Sequence, residues 1–272
     1  MKWYPAPAKL NLFLHVLGKR ADGYHDLQTV FRLIDRTDRV GIAVRLDGEI
    51  RYSGVYGEEN LCVRAARLLQ QESGSRLGAD LALEKILPAG AGLGGGSSDA
   101  ASVLLVLNRL WNLRLPRHRL MEIAKQLGAD VPFFVYGRNA LGEGIGERLT
   151  ALELDPAWYL VLEPQVSVST KEIFGSALTG RSKALKIPPF FSGQGRNDLE
   201  AVVAARHPEV AAHLQWLRQR SPQARMTGSG ACVFAECSSQ TEALAVHGQL
   251  PEELKGFVAR GLDRHPLFDW ND

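Results

Sequence analysis

An alternating pattern of apolar and polar side chains runs through residues 9–16 and predicts a β-strand. One face is apolar, whereas Lys9 and Asn11 place an amine and an amide on the other face, where both could meet one ligand. Shorter patterns of the same kind predict further strands at 39–46, 49–52, 80–87, 158–164 and 256–262, and a hairpin at 224–236.

Helices are predicted where the apolar period lengthens to 3.6 residues. Residues 59–72 carry such a stripe, and a near-continuous apolar surface from Ser98 to about Asn112 indicates a buried helix, capped by the Ser-Ser-Asp at 97–99. A second helix would begin at Pro116 and stop at Gly128. Further helices are predicted near 170–178, 197–206, 208–220 and 240–249, and a polar loop at 180–195.

Strands and helices mix without regular βα alternation, which favours an α+β fold over a doubly wound sheet. A chain of 272 residues is near the upper limit for a single core, so two domains are expected. A new strand follows an acidic, proline-containing connector, and we place the boundary there, giving domains at 1–152 and 153–272.

The net charge of +2, with both signs interspersed, lacks the basic stripe of a nucleic-acid-binding protein, so an anionic partner should be small. Cys62, Cys232 and Cys237 have no zinc-ligand spacing, and neither do the histidines, so both are expected to be structural. Neither a signal peptide nor a membrane span is predicted, so we expect a soluble, cytoplasmic protein with no membrane partner.

The most informative segment is a loop that holds five glycines in the seven residues 90–96. Main-chain N–H groups of such a loop can surround a phosphate, and the helix that follows presents the positive end of its dipole. The structural alternative to a phosphate-binding loop is a tight turn whose glycines are needed for positive φ. The loop lacks the Gly-Lys-Ser/Thr ending of a Walker P-loop. It contains a formal G-x-G-x-x-G, but a dinucleotide-binding fold would need a strand after the helix, and a second helix is predicted there.

The segment PAGAGLGGGSSDAA (88–101) closely resembles the ATP-binding signature of the GHMP kinase superfamily, which includes galactokinase, homoserine kinase and mevalonate kinase. Other segments narrow the resemblance to the branch that phosphorylates a cytidine diphosphate-linked methylerythritol in the non-mevalonate isoprenoid pathway. They stand in the order and spacing of that branch, and are PAKLNLFLHVLGKRADGYHDL (7–27), GADVPFFV (128–135), GEGIGE (142–147), NDLE (197–200) and MTGSGACVFAE (226–236). Leu141 departs from the expected small or aromatic residue, without functional consequence.

The resemblance implies an N-terminal, ribosomal-S5-domain-2-like ATP-binding domain, a C-terminal ferredoxin-like domain on the substrate side, and an active site between them. It implies transfer of phosphate from ATP to the 2-hydroxyl of the substrate, with ADP as the other product. The family's catalytic pair falls on Lys9 and Asp130. Its ATP loop falls on Pro88, Ala89, Gly90, Ala91, Gly92, Leu93, Gly94, Gly95, Gly96, Ser97 and Ser98, its cytidine contacts on Tyr24 and His25, and its other substrate contacts on Asn11, Gly228 and Ser229.

In this chemistry Asp130 would accept the hydroxyl proton while Lys9 orients the carboxylate or the hydroxyl. Mg²⁺ would arrive with the nucleotide, since no metal-ligand cluster stands in the sequence, and residues 97–99 are the nearest candidates for contact with it. We expect a small-molecule substrate and a monomer or weak homodimer.

Each assignment has an alternative in which the residue is structural. Asp130 could cap a helix, and Lys9 could be a solvated strand lysine. Tyr24 and His25 could be plain surface residues. GEGIGE is best interpreted as a hairpin turn, and residues 228–230 could equally be a hairpin turn or part of the site. The functional alternatives are another kinase of the superfamily, of mevalonate or homoserine type, and a non-catalytic nucleotide-binding relative.

Overall fold

The computed structural model describes residues 1–54, 57–175 and 195–271. All but the last residue of the loop predicted at 180–195 lies outside these residues, as does the end of the helix predicted at 170–178. Within the described part, strands and helices are intermixed along the chain and the strands form one large sheet, as the α+β prediction expects.

Among the described residues, ten strands form the sheet, and its longest pair is the antiparallel pair of β1 (Lys2–Lys19) and β2 (His25–Arg45). The strand order along the sheet is β3-β4-β2-β10-β7-β9-β8. Outside this order, β1 and β5 also pair with β2, and β6 pairs with β5. The remaining strands are β3 (Ile50–Ser53), β4 (Gly78–Glu84), β5 (Ala140–Gly144), β6 (Arg148–Ala151), β7 (Trp158–Leu162), β8 (Arg225–Met226), β9 (Val233–Cys237) and β10 (Gly256–Leu262).

The helices pack against this sheet, and most begin within a few residues of the predicted positions. Asn60 caps the first helix by accepting a hydrogen bond from the Cys62 amide at 2.8 Å. Between the third helix and the β5-β6 hairpin the structure adds a short helix that the periodicity did not predict. The helices are α1 (Leu61–Ser73), α2 (Gly95–Leu110), α3 (Arg117–Lys125), α4 (Val131–Tyr136), α5 (Thr170–Gly175), α6 (Glu200–Arg206), α7 (Pro208–Arg218) and α8 (Gln240–His247).

The strand predicted at 9–16 is confirmed as part of β1, and both of its faces are covered. Tyr4 and Ala6 pack in the cluster that contains α2, whereas Leu10 and Phe13 pack with Phe234 of the far half of the sheet. The amine and amide on β1 are therefore buried rather than solvated. Alternation along a strand reports side-chain direction and cannot show what lies on each side.

The two halves of the chain are joined by main-chain pairing as well as by packing. Gly261 and Leu262 of β10 pair with Ile34 and Leu33 of β2, so the last strand of the chain extends the N-terminal sheet. The domain division at residues 152 and 153 stays a prediction. All three cysteines are buried and free, and burial raises the pKa of each thiol. No described helix is long and apolar enough to cross a membrane.

Candidate active site

A cleft of about 510 Å³ opens where the two halves of the chain meet. Its wall is built from β1 and β2, the glycine-rich loop, the segment before α4, the β5-β6 turn, α5 and the loop between β8 and β9. Residues far apart in the sequence therefore face one volume. Of the six segments that carry the resemblance to GHMP kinases, five contribute residues to the lining of this cleft, and NDLE (197–200) does not.

Lys9 and Asp130 meet in this cleft, with the Lys9 ammonium 3.5 Å from the Asp130 carboxylate. The Lys9 side chain is only 3% exposed, so it is not the solvated strand lysine of the structural alternative. Asp130 stands at the N-cap position of α4, yet its side chain makes no capping hydrogen bond. The carboxylate, 35% exposed, is turned toward Lys9 and the cleft instead.

Asn11 lies beside this pair on the same face of β1, as the alternation predicted. Its side-chain oxygen accepts a hydrogen bond from the Lys9 ammonium, and its Nδ2 donates to the Thr29 hydroxyl at 2.8 Å. The main-chain N–H of Asn11 donates to the Thr227 hydroxyl, also at 2.8 Å, across 216 positions of sequence. Asn11 thus ties the lysine to both β2 and the loop after β8.

The glycine-rich loop lies against this strand, since the Lys9 amide donates to the Leu93 carbonyl at 3.0 Å. Gly90, Gly92 and Gly94 have φ of +64°, +79° and +72°, which side chains rarely tolerate. A Cβ on Gly92 would collide with the Thr227 carbonyl oxygen. Glycine is therefore required by both conformation and close approach. The side chains of Leu93 and Ser98 are buried, whereas the other loop residues from 88 to 97 line the cleft.

The predicted Ser-Ser-Asp cap of α2 is wrong. The helix begins at Gly95 after Gly94 in the left-handed conformation, and no side chain caps it. Ser97 and Ser98 consequently lie in its first turn, and Asp99 binds Lys85 at 3.0 Å. The first-turn amides of the helix are left for a ligand in the cleft, which is the arrangement that binds phosphate.

A buried cluster of two carboxylates and one ammonium lies at the edge of the loop. Lys85 bridges Asp38 and Asp99, and Asp38 also accepts the main-chain N–H groups of Ile86 at 2.5 Å and Leu87 at 2.8 Å. Burial raises the pKa of the Asp99 carboxyl to about 7, with the charge of Asp38 adding to the rise and the Lys85 ammonium opposing it. This cluster was not predicted from the sequence, since its members share no motif.

Tyr24 and His25 flank the cleft rather than line it. Tyr24 is 59% exposed at the end of the loop between β1 and β2, directly before β2. The ring of His25 lies 5.5 Å from that of Phe174, which does line the cleft. Burial lowers the pKa of the His25 ring, and the nearby Lys19 adds to this. Phe174 was missed because no spacing in α5 distinguishes it from a core aromatic.

The loop between β8 and β9 supplies the far wall. Gly228 and Ser229 line the cleft, and the Ser229 hydroxyl lies 2.7 Å from that of Thr170 at the start of α5. The buried Asn197 side chain holds the loop, because its Nδ2 donates hydrogen bonds to the carbonyls of Met226 and Gly228, each at 2.8 Å. The segment is a hairpin turn and also part of the cleft, so the two interpretations of residues 228–230 are compatible. The GEGIGE segment forms the β5-β6 turn, as predicted.

The fold and cleft define a class of protein, and comparison with known families agrees. The models for the GHMP kinases N terminal domain and the GHMP kinases C terminal match residues 60–138 and 188–256, so the fold is that of a GHMP kinase. A crystal structure of mevalonate kinase superposes with a TM-score of 0.69 over 97% of this chain and all of its own, at 13% identity, which shows the shared fold alone.

Relatives identify the branch of that class. A 4-diphosphocytidyl-2-C-methyl-D-erythritol kinase of Nitrosospira multiformis is 58% identical over 98% of this chain and 93% of the relative, and one of Thiobacillus denitrificans is 57% identical over 98% of each. A crystal structure of 4-(cytidine 5'-diphospho)-2C-methyl-D-erythritol kinase superposes with a TM-score of 0.85 at 34% identity, covering 96% of this chain and 99% of the other. The chain belongs to the 4-diphosphocytidyl-2-C-methyl-D-erythritol kinase family, and is thus an ATP-dependent kinase of a small molecule.

Proposed function

We propose that this protein transfers the terminal phosphoryl group of ATP to the 2-hydroxyl of 4-diphosphocytidyl-2-C-methyl-D-erythritol, giving the 2-phosphate and ADP. One observation carries the proposal: the Lys9–Asp130 pair and the glycine-rich loop share the wall of a single cleft. Phosphoryl transfer needs an aligned hydroxyl and neutralised phosphate charge more than it needs covalent chemistry. The cleft offers a group for each task.

Asp130 is the proposed general base. Its carboxylate is partly exposed to the cleft and makes no capping hydrogen bond, so an oxygen is available to accept the proton of the attacking hydroxyl. Lys9 lies beside it and is fixed by Asn11, which places one positive charge next to the carboxylate and the transferred group. In this proposal the hydroxyl oxygen attacks the γ-phosphorus, the bond to the β-phosphate oxygen breaks, and the proton goes to Asp130.

The phosphates are proposed to lie on the loop from residue 88 to 98. Its positive-φ glycines leave no side chains between the main chain and a phosphate, and the uncapped first turn of α2 adds its dipole. Most of the side chains of this loop lie at the cleft wall, and the contribution of Leu93 and Ser98 would come from the main chain.

Mg²⁺ is proposed to be held mainly by the nucleotide. Among the described residues no group of three or more His, Cys, Asp or Glu side chains could hold a metal ion alone. Ser97 and Asp99 line the cleft with the oxygen donors that Mg²⁺ prefers, and Oδ1 of Asp99 is buried without a hydrogen-bond partner among the described residues. The bound ion would neutralise phosphate charge.

Recognition of the cytosine is assigned to aromatic side chains at the mouth of the cleft. His25 and Phe174 lie together there, and Tyr24 is exposed on the adjoining loop. A base stacked on such a ring gains about 1–3 kcal/mol. Asn11, Gly228 and Ser229 line the deeper part, where the erythritol portion and its hydroxyl would contact them.

The test is an ADP-release assay with the purified protein and equal concentrations of three alcohols: the cytidine diphosphate-linked methylerythritol, mevalonate and homoserine. We expect turnover with the first alone, and phosphate on its 2-oxygen by ³¹P NMR of the product. Turnover with mevalonate or homoserine would favour another kinase of the superfamily. Nucleotide binding without turnover of any of the three would favour a non-catalytic relative.

A further inference from the structure

A directional chain of hydrogen bonds ends at the Lys9 ammonium. Lys9 donates to the side-chain oxygen of Asn11, Asn11 Nδ2 donates to the Thr29 hydroxyl at 2.8 Å, and that hydroxyl donates to the Phe13 carbonyl at 2.5 Å. All four residues are at most 3% exposed, so water competes little for these bonds. Thr29 is not among the residues assigned a role from the sequence.

Chemistry dictates the direction of every bond in the chain. An ammonium can only donate, so the atom of Asn11 that faces Lys9 must be the oxygen. The amide nitrogen therefore faces Thr29, whose hydroxyl must accept. A hydroxyl has a single hydrogen, and the Phe13 carbonyl, which can only accept, takes it. The orientation of the Asn11 amide is thus held at its oxygen by the Lys9 ammonium and at its nitrogen by the Thr29 hydroxyl.

An irregularity in the β1–β2 pairing brings these groups together. The register is regular from Ala8 opposite Ile34 to Asn11 opposite Phe31, and it resumes at Leu14 opposite Thr29. Two residues of β1, Leu12 and Phe13, therefore face a single residue of β2, Val30. Such a bulge redirects side chains and main-chain groups next to functional sites. Here it places the Phe13 carbonyl and the Asn11 amide on the same hydroxyl.

We propose that Thr29 is a positioning residue, which orients Lys9 for phosphoryl transfer through the Asn11 amide; this inference rests on the proposed function. Without the hydroxyl, nothing favours the oxygen-to-lysine orientation of the amide except Lys9 itself. A rotated amide turns its N–H groups toward the ammonium and displaces it from Asp130, which lies 3.5 Å away in the native arrangement. Misplacement of a reacting group by about 1 Å can cost about 10²-fold in rate.

Steady-state kinetics of Thr29→Val and Thr29→Ser test the inference. Valine keeps the shape and loses the hydroxyl, so kcat should fall about 10- to 100-fold with both KM values within about three-fold of native. Serine keeps the hydroxyl and should restore kcat to within about three-fold. The inference is overturned by a native kcat in Thr29→Val, by failure of serine to rescue, or by a change confined to the KM of the alcohol substrate, which would indicate direct contact.

A matched control separates orientation from lost stability. Ser102 of α2 is fully buried and donates to the Pro5 carbonyl at 2.9 Å, so Ser102→Ala also removes a buried hydroxyl-to-carbonyl bond, away from the cleft. Its kcat should equal that of the native protein at a temperature where both are folded. A similar fall in kcat for Ser102→Ala and Thr29→Val would overturn the inference, because the effect would then be general.

A second measurement does not need turnover. The side-chain amide signals of Asn11 in ¹⁵N NMR spectra can be assigned from their absence in Asn11→Asp. We expect slow hydrogen exchange of these protons in the native protein and in Thr29→Ser, and loss of that protection in Thr29→Val. Unchanged protection in Thr29→Val would refute the inference. If the native protein turns over no alcohol, the proposed function fails, whereas the amide signal still decides the role of Thr29.

Discussion

Replacement of Lys85 by methionine should destabilise the protein, and the loss should depend on pH. Lys85 contacts two buried carboxylates, Asp38 at 0% and Asp99 at 3% exposure. Breaking a buried ion pair by removing one partner costs about 3–5 kcal/mol. We therefore expect the free energy of unfolding to fall by about 4 kcal/mol at pH 9, above the pKa of the Asp99 carboxyl in the native protein.

At pH 5 the loss should be smaller, because Asp99 then holds a proton. Its pKa of about 7 in the folded protein lies above the ordinary 3.8, so between these values the folded state binds more protons than the unfolded chain. Asp99 therefore makes the native protein less stable as pH rises from about 4 to about 7. At pH 5, below the pKa of Asp99, Lys85→Met loses chiefly its bond to Asp38, which is about 2 kcal/mol.

Urea unfolding followed by tryptophan fluorescence at pH 5 and pH 9 measures both losses. Lys125→Met, an exposed lysine in α3, is the matched control and should change the free energy of unfolding by less than about 0.5 kcal/mol. Adding Asp99→Asn to Lys85→Met should remove most of the difference between the two pH values. A loss below about 1 kcal/mol at pH 9, or equal losses at both pH values, would refute this account of the cluster.

The remaining predictions concern the cleft. Gly92→Ala should lower the free energy of unfolding by about 2–4 kcal/mol in urea, because φ is +79° and the facing loop leaves no room for a Cβ. Gly96→Ala is the control and should not destabilise the protein, since the nearest atom to its Cβ would lie 3.6 Å away. Equal effects of the two substitutions would contradict the close approach at Gly92. Asp130→Asn should lower kcat by about 10²-fold or more, while calorimetry should show that binding of an ATP analogue is preserved. The surface variant Glu122→Gln is the control. Native turnover of Asp130→Asn would exclude Asp130 from the chemistry. Tyr24→Ala should weaken binding of the cytidine substrate by about 1–3 kcal/mol and leave binding of ATP unchanged. Tyr24→Phe keeps the ring and should bind both ligands nearly as the native protein does. Equal loss of binding for both ligands would exclude Tyr24 from base recognition.

Much of the fold could be predicted because its signals are local. The alternation at 256–262 and the apolar stripe at 59–72 coincide with β10 and α1, since each depends on the side-chain period of one element. The glycine-rich loop was identified from composition alone, and the structure places it on the cleft wall. Its helix nevertheless starts earlier than predicted, because Gly94 enters it without a side-chain cap and Asp99 is used by Lys85.

The site residues that were missed are those whose partners lie elsewhere in the chain. Thr29 is an ordinary strand threonine until the bulge in β1 places the Asn11 amide and the Phe13 carbonyl on its hydroxyl. Phe174 has the spacing of a core aromatic, and only its position beside His25 at the cleft indicates another role. No pattern within a single element could have distinguished them.

By itself the amino-acid sequence determined most of the strands and helices, a loop suited to binding phosphate, and a lysine and an aspartate as candidates for catalysis. Only the tertiary structure decided between their alternatives: Lys9 is buried and Asp130 caps nothing, because each has the other as its neighbour at 3.5 Å. Periodicity and turn chemistry act between residues a few positions apart. Burial, charge pairing and the orientation of an amide depend on which distant segments pack together, and those contacts form only when the whole chain folds.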